Sequence, residues 1–462
     1  MTAIAARDTL PPLCVDLDGT LIRSNLLLES ILHLVGRNPL FLFMLPVWLW
    51  RGRATLKAEV AARVELNPAA LPYDLALLNW LRAERARGRE LWLCTSANER
   101  LAAPVASHLG VFAGLVASDP GHDLAGRAKA QRLIDLFGDG GFEYCGNAHR
   151  DLAVWQHARV VPQLAQFAPR RSRWRAVARA LRPHQWAKNI LLLVPLLTSH
   201  RLGNLASLRM TLLAVLVFSL CASAVYVLND LLDLEADRHH PRKASRPFAA
   251  GDASIGAGLL LIPALLAAAA LLAMLLPVTF RLVLTAYFAL TLAYSLDLKR
   301  RVLIDAMALA GLYTLRIIAG AAATSIALSF WLLLFSVFLF LSLAFAKRYA
   351  ELDELRRQHR LRAAGRGYQT DDLPILRSMG TASGYLCVLV LALYINSPEV
   401  GALYHRPKVI WLLCVVMLYW VSRLWVVAQR GKLHDDPVIY ALTDRVSLLT
   451  GVLAACIIAA AM

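Results

Sequence analysis

A series of long apolar segments after residue 185 is the feature that most constrains how this chain can fold. A helix needs about 20 apolar residues to cross a bilayer, and about nine segments come near that length. They run roughly over residues 187–203, 208–229, 254–276, 278–296, 303–323, 328–346, 379–397, 408–428 and 446–462. We therefore predict an all-α, multi-pass membrane domain of about nine transmembrane helices over residues 185–462. The first span is the weakest, because Pro195 interrupts a short run.

The loops between these segments predict the orientation. Four loops are long or strongly charged, and they lie at 230–253, 297–302, 347–378 and 429–445. Because Lys and Arg are enriched in cytoplasmic loops, we expect these four inside the cell. The N-terminus would then be cytoplasmic and the C-terminus outside, with the chain in the inner (cytoplasmic) membrane.

The net charge of +17 comes from Arg and Lys that gather beside the apolar segments. Membrane helices carry such residues at their cytoplasmic flanks, so a lipid surface is favoured as the partner over nucleic acid. Residues 169–184 form a basic linker with six Arg, which we expect to lie along the headgroups. The seven cysteines show no C-x-x-C pairing, which indicates neither a disulfide framework nor a zinc site.

Residues 10–168 follow a different pattern. Short apolar strands are predicted at 13–15, 90–94 and 142–145, and they alternate with helical patterns. This alternation is typical of a Rossmann-like α/β domain, in which helices wrap a parallel sheet. No apolar stretch of signal-peptide length precedes Asp16, so we expect this domain to stay in the cytoplasm.

One apolar run, Pro39–Trp50 (PLFLFMLPVWLW), lies inside this first domain. It is too short to span a bilayer and contains a proline. Two interpretations remain open. The run is either the packed core of a helical cap or a hydrophobic face that touches the bilayer.

Two aspartates, Asp16 and Asp18, follow the first predicted strand in LCVDLDGTL. Open α/β sheets bind ligands at the carboxyl edge of their strands. One of two such carboxylates can attack phosphorus while its neighbour handles the proton of the leaving group. Further polar residues follow the next predicted strands, and they are Thr95, Ser96, Asn147 and Asp151. Lys129 belongs to a G-R-x-K pattern before a predicted helix.

This order resembles the haloacid dehalogenase (HAD) superfamily over roughly residues 10–165. The resemblance implies a phosphatase with a cap at about 24–88, in which Asp16 forms an aspartyl phosphate and Asp18 is the general acid and base. It also implies that the phosphate oxygens are held by Thr95, Ser96 and Lys129, and Mg²⁺ by Asp16, Asp18, Asn147 and Asp151. The family usually has Asp at the position of Asn147, so this site has one negative charge fewer. The domain is therefore either an active phosphatase or a degenerate scaffolding or regulatory domain.

The second predicted span ends in an acidic segment, N-D-L-L-D-L-E-A-D, from Asn229 to Asp237. On a helix its polar residues share one face, where stacked carboxylates repel unless a divalent cation lies among them. Mg²⁺ prefers a few carboxylates together with phosphate oxygens, so we predict a magnesium-diphosphate site rather than a solvated acidic helix end. The residues of this site are Asn229, Asp230, Asp233 and Asp237. The basic residues that follow would meet the remaining phosphate charge, and they are Arg242, Lys243 and Arg246.

A second polar cluster follows the fourth span, with Tyr294, Lys299 and Asp305. Deeper in the fifth span lies Arg316. An intramembrane arginine is costly and is a functional candidate, although it could instead be structurally paired or snorkelling. Further candidates on the cytoplasmic side, some of which could be ordinary positive-inside flanks, are Lys188, Asn189, Lys347, Arg348 and Asp444.

The chain resembles the UbiA superfamily over roughly residues 180–462. The resemblance rests on about nine membrane helices, on N-D-x-x-D-x-x-x-D at the end of the second helix and on a polar loop after the fourth. The resemblance implies a central cavity with Mg²⁺-diphosphate at its cytoplasmic mouth. It would be held by Asn229, Asp230, Asp233, Asp237 and Asp305. Many family members have two aspartates four apart in the second motif, whereas Asp297 and Asp305 here are eight apart.

Within the superfamily, four segments look most like decaprenyl-phosphate phosphoribosyltransferases. They are R-P-H-Q-W-x-K-N (182–189), Y-S-L-x-L-K-R (294–300), L-R-I-I-A-G (315–320) and A-K-R-Y-x-E-L (346–352). This implies transfer of 5-phosphoribose from phosphoribosyl pyrophosphate to a polyprenyl (decaprenyl) phosphate, with the fused phosphatase-like domain removing the 5-phosphate of the product. One alternative is an aromatic prenyltransferase, such as a 4-hydroxybenzoate polyprenyltransferase, with a degenerate first domain. Another is a membrane-tethered regulatory protein, against which the intact aspartates argue.

Overall fold

The computed structural model describes residues 10–146, 151–159, 173–240, 243–359, 366–397, 400, 404–433 and 436–462. The chain forms two compact units. Unit 1 consists of Met1–Leu181 and Tyr226–Pro263, and unit 2 of Arg182–Val225 and Ala264–Met462. The aspartate-rich segment thus belongs to the same unit as the α/β domain.

Unit 1 contains a parallel four-stranded sheet with the strand order β3-β2-β1-β4. The strands are β1 (Leu13–Val15), β2 (Leu91–Asn98), β3 (Gly114–Ser118) and β4 (Glu143–Cys145). The predicted parallel α/β domain is therefore confirmed. β1 pairs with β2 and β4, and all its residues are buried, as is typical of a strand covered on both faces.

The structure extends the prediction for two strands. β2 continues to Asn98, so Thr95 and Ser96 lie within the strand rather than at its end. β3 (GLVAS) was missed, because glycine, alanine and serine give its short run little apolar signal.

Helices follow the strands as the α/β pattern predicts. The first eight helices are α1 (Leu26–Arg37), α2 (Phe41–Trp50), α3 (Arg53–Ala61), α4 (Leu75–Ala86), α5 (Glu99–Leu109), α6 (Arg127–Phe137), α7 (Leu152–Trp155) and α8 (Arg173–Ala180). The first four fall within the predicted cap segment, 24–88.

Beyond α8, the regular elements of the described chain are all helices. A 3₁₀ helix, Pro183–Leu193, precedes α9 (Val194–Thr198), α10 (Leu205–Leu232), α11 (Leu234–Arg238), α12 (Ile255–Ala273), α13 (Val278–Leu296), α14 (Ile304–Thr324), α15 (Phe330–Arg357), α16 (Leu373–Ile395), α17 (Trp411–Gln429), α18 (Pro437–Thr443) and α19 (Arg445–Ala461).

Seven helices in the described ranges are long and apolar enough to cross a membrane, and the bent pair α18 and α19 raises the number to eight. The prediction of about nine spans was too high. The first predicted span, 187–203, is instead the 3₁₀ helix followed by the five-residue α9. Pro195 supplies no N–H and fits only the first turn of a helix. The last span is bent by 76° at Asp444, whose extended backbone ends α18.

Gly320 of α14 brings the 3₁₀ helix of unit 2 close to the membrane helices. A Cβ at this position would lie only 2.0 Å from the carbonyl oxygen of Leu192. Only glycine permits this approach of two backbones. The contact fixes the segment that carries Lys188 and Asn189 against α14.

Candidate functional sites

Asp16 and Asp151 converge on Lys129 at the carboxyl edge of the sheet. Lys129 Nζ lies 2.9 Å from Asp16 Oδ1 and 3.3 Å from Asp151 Oδ1. It also donates to the hydroxyl of Tyr144 at 2.9 Å, and that hydroxyl donates to Asp151 Oδ1 at 3.0 Å. All four side chains are buried. The structure thus brings together three candidates from the sequence and adds Tyr144, which the motif search missed.

Burial shifts the protonation of both aspartates that follow β1. It raises the pKa of Asp16 to about 6, although the Lys129 ammonium opposes the shift. It raises the pKa of Asp18 to about 7, although a backbone N–H opposes it. Burial disfavours the charged form of Lys129, but the carboxylates of Asp16 and Asp151 outweigh this effect and raise the lysine's pKa. A carboxyl with a pKa near 7 can donate and accept a proton at neutral pH.

The first turn of α1 holds Asp18. The backbone N–H of Leu26 donates to Asp18 Oδ1 at 2.8 Å, and the side-chain amide of Asn25 donates to Oδ2 at 3.2 Å. Asn25 is also the N-cap of α1, since its side-chain oxygen accepts from Leu28 N at 3.0 Å. The start of the cap therefore fixes the orientation of this carboxylate.

A lysine of the cap reaches β2 beside the phosphate-binding candidates. Lys57 of α3 donates to the carbonyl oxygen of Ser96 and pairs with Asp123 at 2.6 Å. The same carbonyl accepts a hydrogen bond from Ser118 Oγ at 2.9 Å. Thr95 is fully buried next to it. Lys57 was not predicted from the sequence, because a single lysine in a helix belongs to no recognisable motif.

Asn147 lies outside the described residues, so its role as a metal ligand stays a prediction. Its neighbour Gly146 packs against Asp151, and a Cβ there would lie 2.6 Å from Asp151 Oδ2. A side chain at position 146 would therefore displace the carboxylate.

The aspartate-rich segment is helical on both sides of Asp233, which lies between α10 and α11. Two of its carboxylates converge on one guanidinium nitrogen. Arg246 Nη1 lies 3.2 Å from Asp230 Oδ1 and 2.5 Å from Asp237 Oδ2. Asp230 and Asp237 are buried, whereas Asn229 and Asp233 are half-buried.

Two of the three basic residues predicted to bind phosphate, Lys243 and Arg246, lie in the described chain. Lys243 Nζ lies 4.0 Å from Asp237 Oδ1, at the limit of an ion pair. Arg242 lies outside the described residues. Arg246 and Lys243 together place positive charge beside Asp237, as a site for a metal-bound diphosphate requires.

The donor atoms of both carboxylate groups fit Mg²⁺. Across the described ranges, no three or more His, Cys, Asp or Glu side chains are grouped so as to hold a metal ion. Mg²⁺, however, is usually held by one or two carboxylates and completed by water and substrate phosphates. Asp16 and Asp151 both direct carboxylate oxygens at Lys129. Asp230 and Asp237 both direct carboxylate oxygens at Arg246.

Asp436 is the centre of a cationic cluster in unit 2, in which Lys188 is buried and Lys347 is half-buried. Its Oδ2 accepts hydrogen bonds from Lys188 Nζ at 2.7 Å and Lys347 Nζ at 2.9 Å. The hydroxyl of Tyr313 donates to Oδ1 at 2.9 Å. Two ammonium groups thus share one carboxylate, which leaves the cluster with a net positive charge. Sequence analysis selected both lysines but missed Asp436, for which the only signal is an acid before the proline that begins α18.

Asp305, predicted as a metal ligand, lies in a network of arginines. Its Oδ2 is 2.6 Å from Arg348 Nε, and its Oδ1 is 3.4 Å from Arg366 Nη1. Tyr294 donates to Oδ1 at 2.8 Å. Glu351 pairs with both arginines. The predicted candidates Tyr294, Asp305 and Arg348 are therefore brought together, and Arg366 and Glu351 are additions.

Arg316 lies in a polar network inside α14. It donates to Asn189 Oδ1 at 3.0 Å, to the carbonyl oxygen of Leu312 at 2.6 Å and to the hydroxyl of Tyr287 at 3.0 Å. The guanidinium also faces the rings of Tyr287 and Tyr313. These partners satisfy the hydrogen-bonding groups of the buried guanidinium, and the role of Arg316 in substrate binding stays a prediction.

Two further candidates are Asp444 and Lys299. Asp444 pairs with Arg423 at 2.6 Å and caps α19 by accepting a hydrogen bond from Ser447 N at 2.8 Å, and its role in substrate binding stays a prediction. Lys299 lies half-exposed in a short 3₁₀ helix.

A family model described as "UbiA prenyltransferase family" matches residues 192–457, more than half of the 462 residues. The chain belongs to the UbiA prenyltransferase family. The predicted resemblance of the membrane domain is thereby confirmed. The matched range includes Asp230, Asp237, Asp305 and Asp436 and begins after the N-terminal α/β domain, whose resemblance to HAD phosphatases stays a prediction.

Three relatives of this UbiA-family chain differ in the share of its length that they match. "Uncharacterized protein y4nM" of Sinorhizobium fredii is 37% identical over 96% of this chain and 90% of its own length, so the match includes both units. "Nodulation protein NoeC" of Azorhizobium caulinodans is 37% identical over 58% of this chain and 88% of its own length. "Decaprenyl-phosphate phosphoribosyltransferase" of Mycolicibacterium smegmatis is 30% identical over 58% of this chain and 86% of its own length.

Proposed function

We propose that this UbiA-family protein transfers 5-phosphoribose from phosphoribosyl pyrophosphate to a polyprenyl phosphate and releases diphosphate. We further propose that its N-terminal α/β domain, residues 10–168, is a HAD-type phosphatase that removes the 5-phosphate of the lipid product. The described similarity to a decaprenyl-phosphate phosphoribosyltransferase supports the first step. The arrangement of Asp16, Asp18 and Lys129 supports the second.

The observation that carries the transferase proposal is the excess of positive charge around Asp436 in unit 2, where Lys188 is buried and Lys347 is half-buried. Lys188 and Lys347 share the single carboxylate of Asp436. Buried charges are retained when they are paired or bind a charged partner. An anionic group of the substrate would compensate the second ammonium. Both substrates of the proposed reaction carry phosphate groups.

The aspartate-rich segment is proposed to hold the diphosphate of the donor. Asp230 and Asp237 would bind Mg²⁺ through the oxygens that now face Arg246, with Asn229, Asp233 and Asp305 as further candidates. Bound Mg²⁺ would neutralise the charge that develops on the departing diphosphate. Arg246 and Lys243 would then be released to contact the phosphate oxygens directly. The C1–O bond of the ribose breaks, and a phosphate oxygen of the lipid forms the new bond to C1.

The sheet-edge group is proposed to hydrolyse the 5-phosphate. The carboxylate of Asp16 attacks phosphorus, and Asp18 gives its proton to the ribose 5-oxygen as the P–O bond breaks. Asp18 then takes a proton from water, and the resulting hydroxide attacks the aspartyl phosphate to release inorganic phosphate. Lys129 offsets the negative charge on Asp16 and on the phosphate. Thr95, Ser96, Asn147 and Asp151 would complete the binding of phosphate and Mg²⁺.

Incubation of the purified protein with radiolabelled phosphoribosyl pyrophosphate, a polyprenyl phosphate and Mg²⁺ tests the transferase step. The proposal predicts label in the lipid extract and release of diphosphate. A parallel incubation with a prenyl diphosphate and 4-hydroxybenzoate tests the aromatic alternative. Product in the second incubation, with an unlabelled lipid in the first, would overturn the proposal.

A further inference from the structure

Helix α2 exposes an apolar surface that ordinary packing does not explain. Phe43 is 75% exposed and Trp50 is 89% exposed. Four more large apolar side chains of the same ten-residue helix are also exposed, and they are Leu42, Met44, Val47 and Leu49. An apolar patch of this kind on a protein surface marks a binding surface or a membrane contact.

The opposite side of α2 already packs within unit 1. Trp48 is buried with Leu34 and Val60, and Phe41 and Leu45 pack against the same cluster. A helix that is apolar all round needs a nonpolar environment on every side. The interpretation of the run as the packed core of the cap is therefore wrong for the exposed face, since only one stripe of α2 is packed.

Positive charge without negative charge surrounds this surface. Arg37, Arg51 and Arg53 flank α2, and all three are exposed. The sequence contains no Asp, Glu or Lys between residues 37 and 53. Interfacial helices have this composition, with apolar and aromatic residues on the buried face and arginine at the edge facing anionic headgroups.

The charge distinguishes a bilayer from a second copy of this chain. A symmetric dimer through α2 would bring Arg37, Arg51 and Arg53 of both copies together, with no acidic residue in the segment to compensate them. An anionic lipid surface supplies the opposite charge. The described chain carries seven helices that are long and apolar enough to cross a membrane, so a bilayer is available to α2.

We propose that α2 is an interfacial membrane anchor, which buries Phe43 and Val47 among the acyl chains of an anionic bilayer. Trp50, at the C-terminal end of α2, lies at the headgroup level, where tryptophan is enriched. The anchor holds the α/β domain on the lipid surface through its own cap. This interaction is separate from the transferase and phosphatase residues.

Site-directed labelling of the full-length protein tests the anchor. In a Cys456→Ser background, where the remaining described cysteines are buried, a polarity-sensitive fluorophore is attached to Phe43→Cys or Trp50→Cys. Leu75→Cys is the control, because Leu75 is also an exposed apolar residue of unit 1, at 67%. The proteins are reconstituted one per nanodisc, in phosphatidylcholine with phosphatidylglycerol, with or without doxyl-labelled lipid.

The anchor predicts blue-shifted emission and quenching by doxyl lipid at positions 43 and 50, and neither effect at position 75. Quenching should weaken when phosphatidylglycerol is omitted, or when Arg37, Arg51 and Arg53 are changed to Gln. Emission at position 43 that matches the control would overturn the proposal, because it would show α2 in water. A blue shift without quenching by doxyl lipid would also overturn it, because protein would then cover the helix.

Discussion

Arg238 donates two hydrogen bonds to the carboxylate of Glu29, at 2.8 and 2.7 Å, and both side chains are buried. Arg238 directly follows Asp237 of the aspartate-rich segment. Glu29 lies in the first turns of α1, close after Leu26, whose backbone N–H holds Asp18. One short stretch of helix therefore connects the proposed general acid to the ion pair beside the aspartate-rich segment.

We expect Glu29→Ala to lower the thermal midpoint of unfolding in detergent markedly. Removing one partner of a buried ion pair costs about 3–5 kcal/mol, because the other charge stays buried. Arg238→Ala should have a similar effect, and the double variant should lose less than the sum of the two. Arg23→Ala is the control, since its pair with Asp74 is more exposed and such pairs contribute about 0–1 kcal/mol. Additive effects of Glu29→Ala and Arg238→Ala would contradict the coupling.

The sequence predicted those features that depend on local patterns. The strand before Asp16 is an uninterrupted apolar run, and the long membrane helices are apolar over enough residues to span a bilayer. The candidates Asp16, Lys129 and Asp151 could be found because each follows a strand or begins a helix at the same sheet edge.

Other features depend on contacts between distant parts of the chain. Asp436 contacts Lys188 across 248 positions and Lys347 across 89 positions, and no local pattern encodes such a distance. The first predicted span failed for a different reason. A hydropathy profile does not show that Pro195 lies in the first turn of a separate five-residue helix. It also does not show that Gly320 lets the preceding 3₁₀ helix approach α14 closely.

Asp237→Asn should abolish transfer to the lipid while the protein stays folded. The change removes one of two carboxylates that face a shared cation and lowers the affinity for Mg²⁺. Asp371→Asn is the matched control, because Asp371 is an exposed aspartate of the short 3₁₀ helix Thr370–Asp372 and belongs to neither aspartate motif. Transfer rates are compared at limiting Mg²⁺. If Asp237→Asn kept near parental turnover at limiting Mg²⁺, Asp237 would be excluded as a metal ligand.

Lys347→Met should lower kcat/KM for the anionic substrate phosphoribosyl pyrophosphate. Hydrogen bonds to charged groups contribute about 1.5–3 kcal/mol, so kcat/KM should fall roughly 10- to 100-fold. Lys408→Met removes an exposed lysine of unit 2 and is the control. Steady-state kinetics with varied phosphoribosyl pyrophosphate measure the effect. Equal kcat/KM values for the two variants would show that the cluster around Asp436 is structural.

Asn147→Asp should reduce the Mg²⁺ concentration needed for phosphate release. The change restores the carboxylate that HAD phosphatases usually have at this position, and added negative charge increases Mg²⁺ affinity. The Mg²⁺ dependence of phosphate release is compared with that of lipid labelling in the same protein. If the Mg²⁺ dependence of lipid labelling shifted together with that of phosphate release, the effect would not be local to the phosphatase step.

Mass spectrometry of the lipid products is the most direct test of the two-step account. Parent protein and Asp16→Asn are each incubated with phosphoribosyl pyrophosphate, polyprenyl phosphate and Mg²⁺. The parent should yield a lipid-linked ribose without its 5-phosphate, together with inorganic phosphate. Asp16→Asn should accumulate the same lipid with the 5-phosphate still attached, because it lacks the nucleophile. Identical, fully phosphorylated lipids from both proteins would contradict the account.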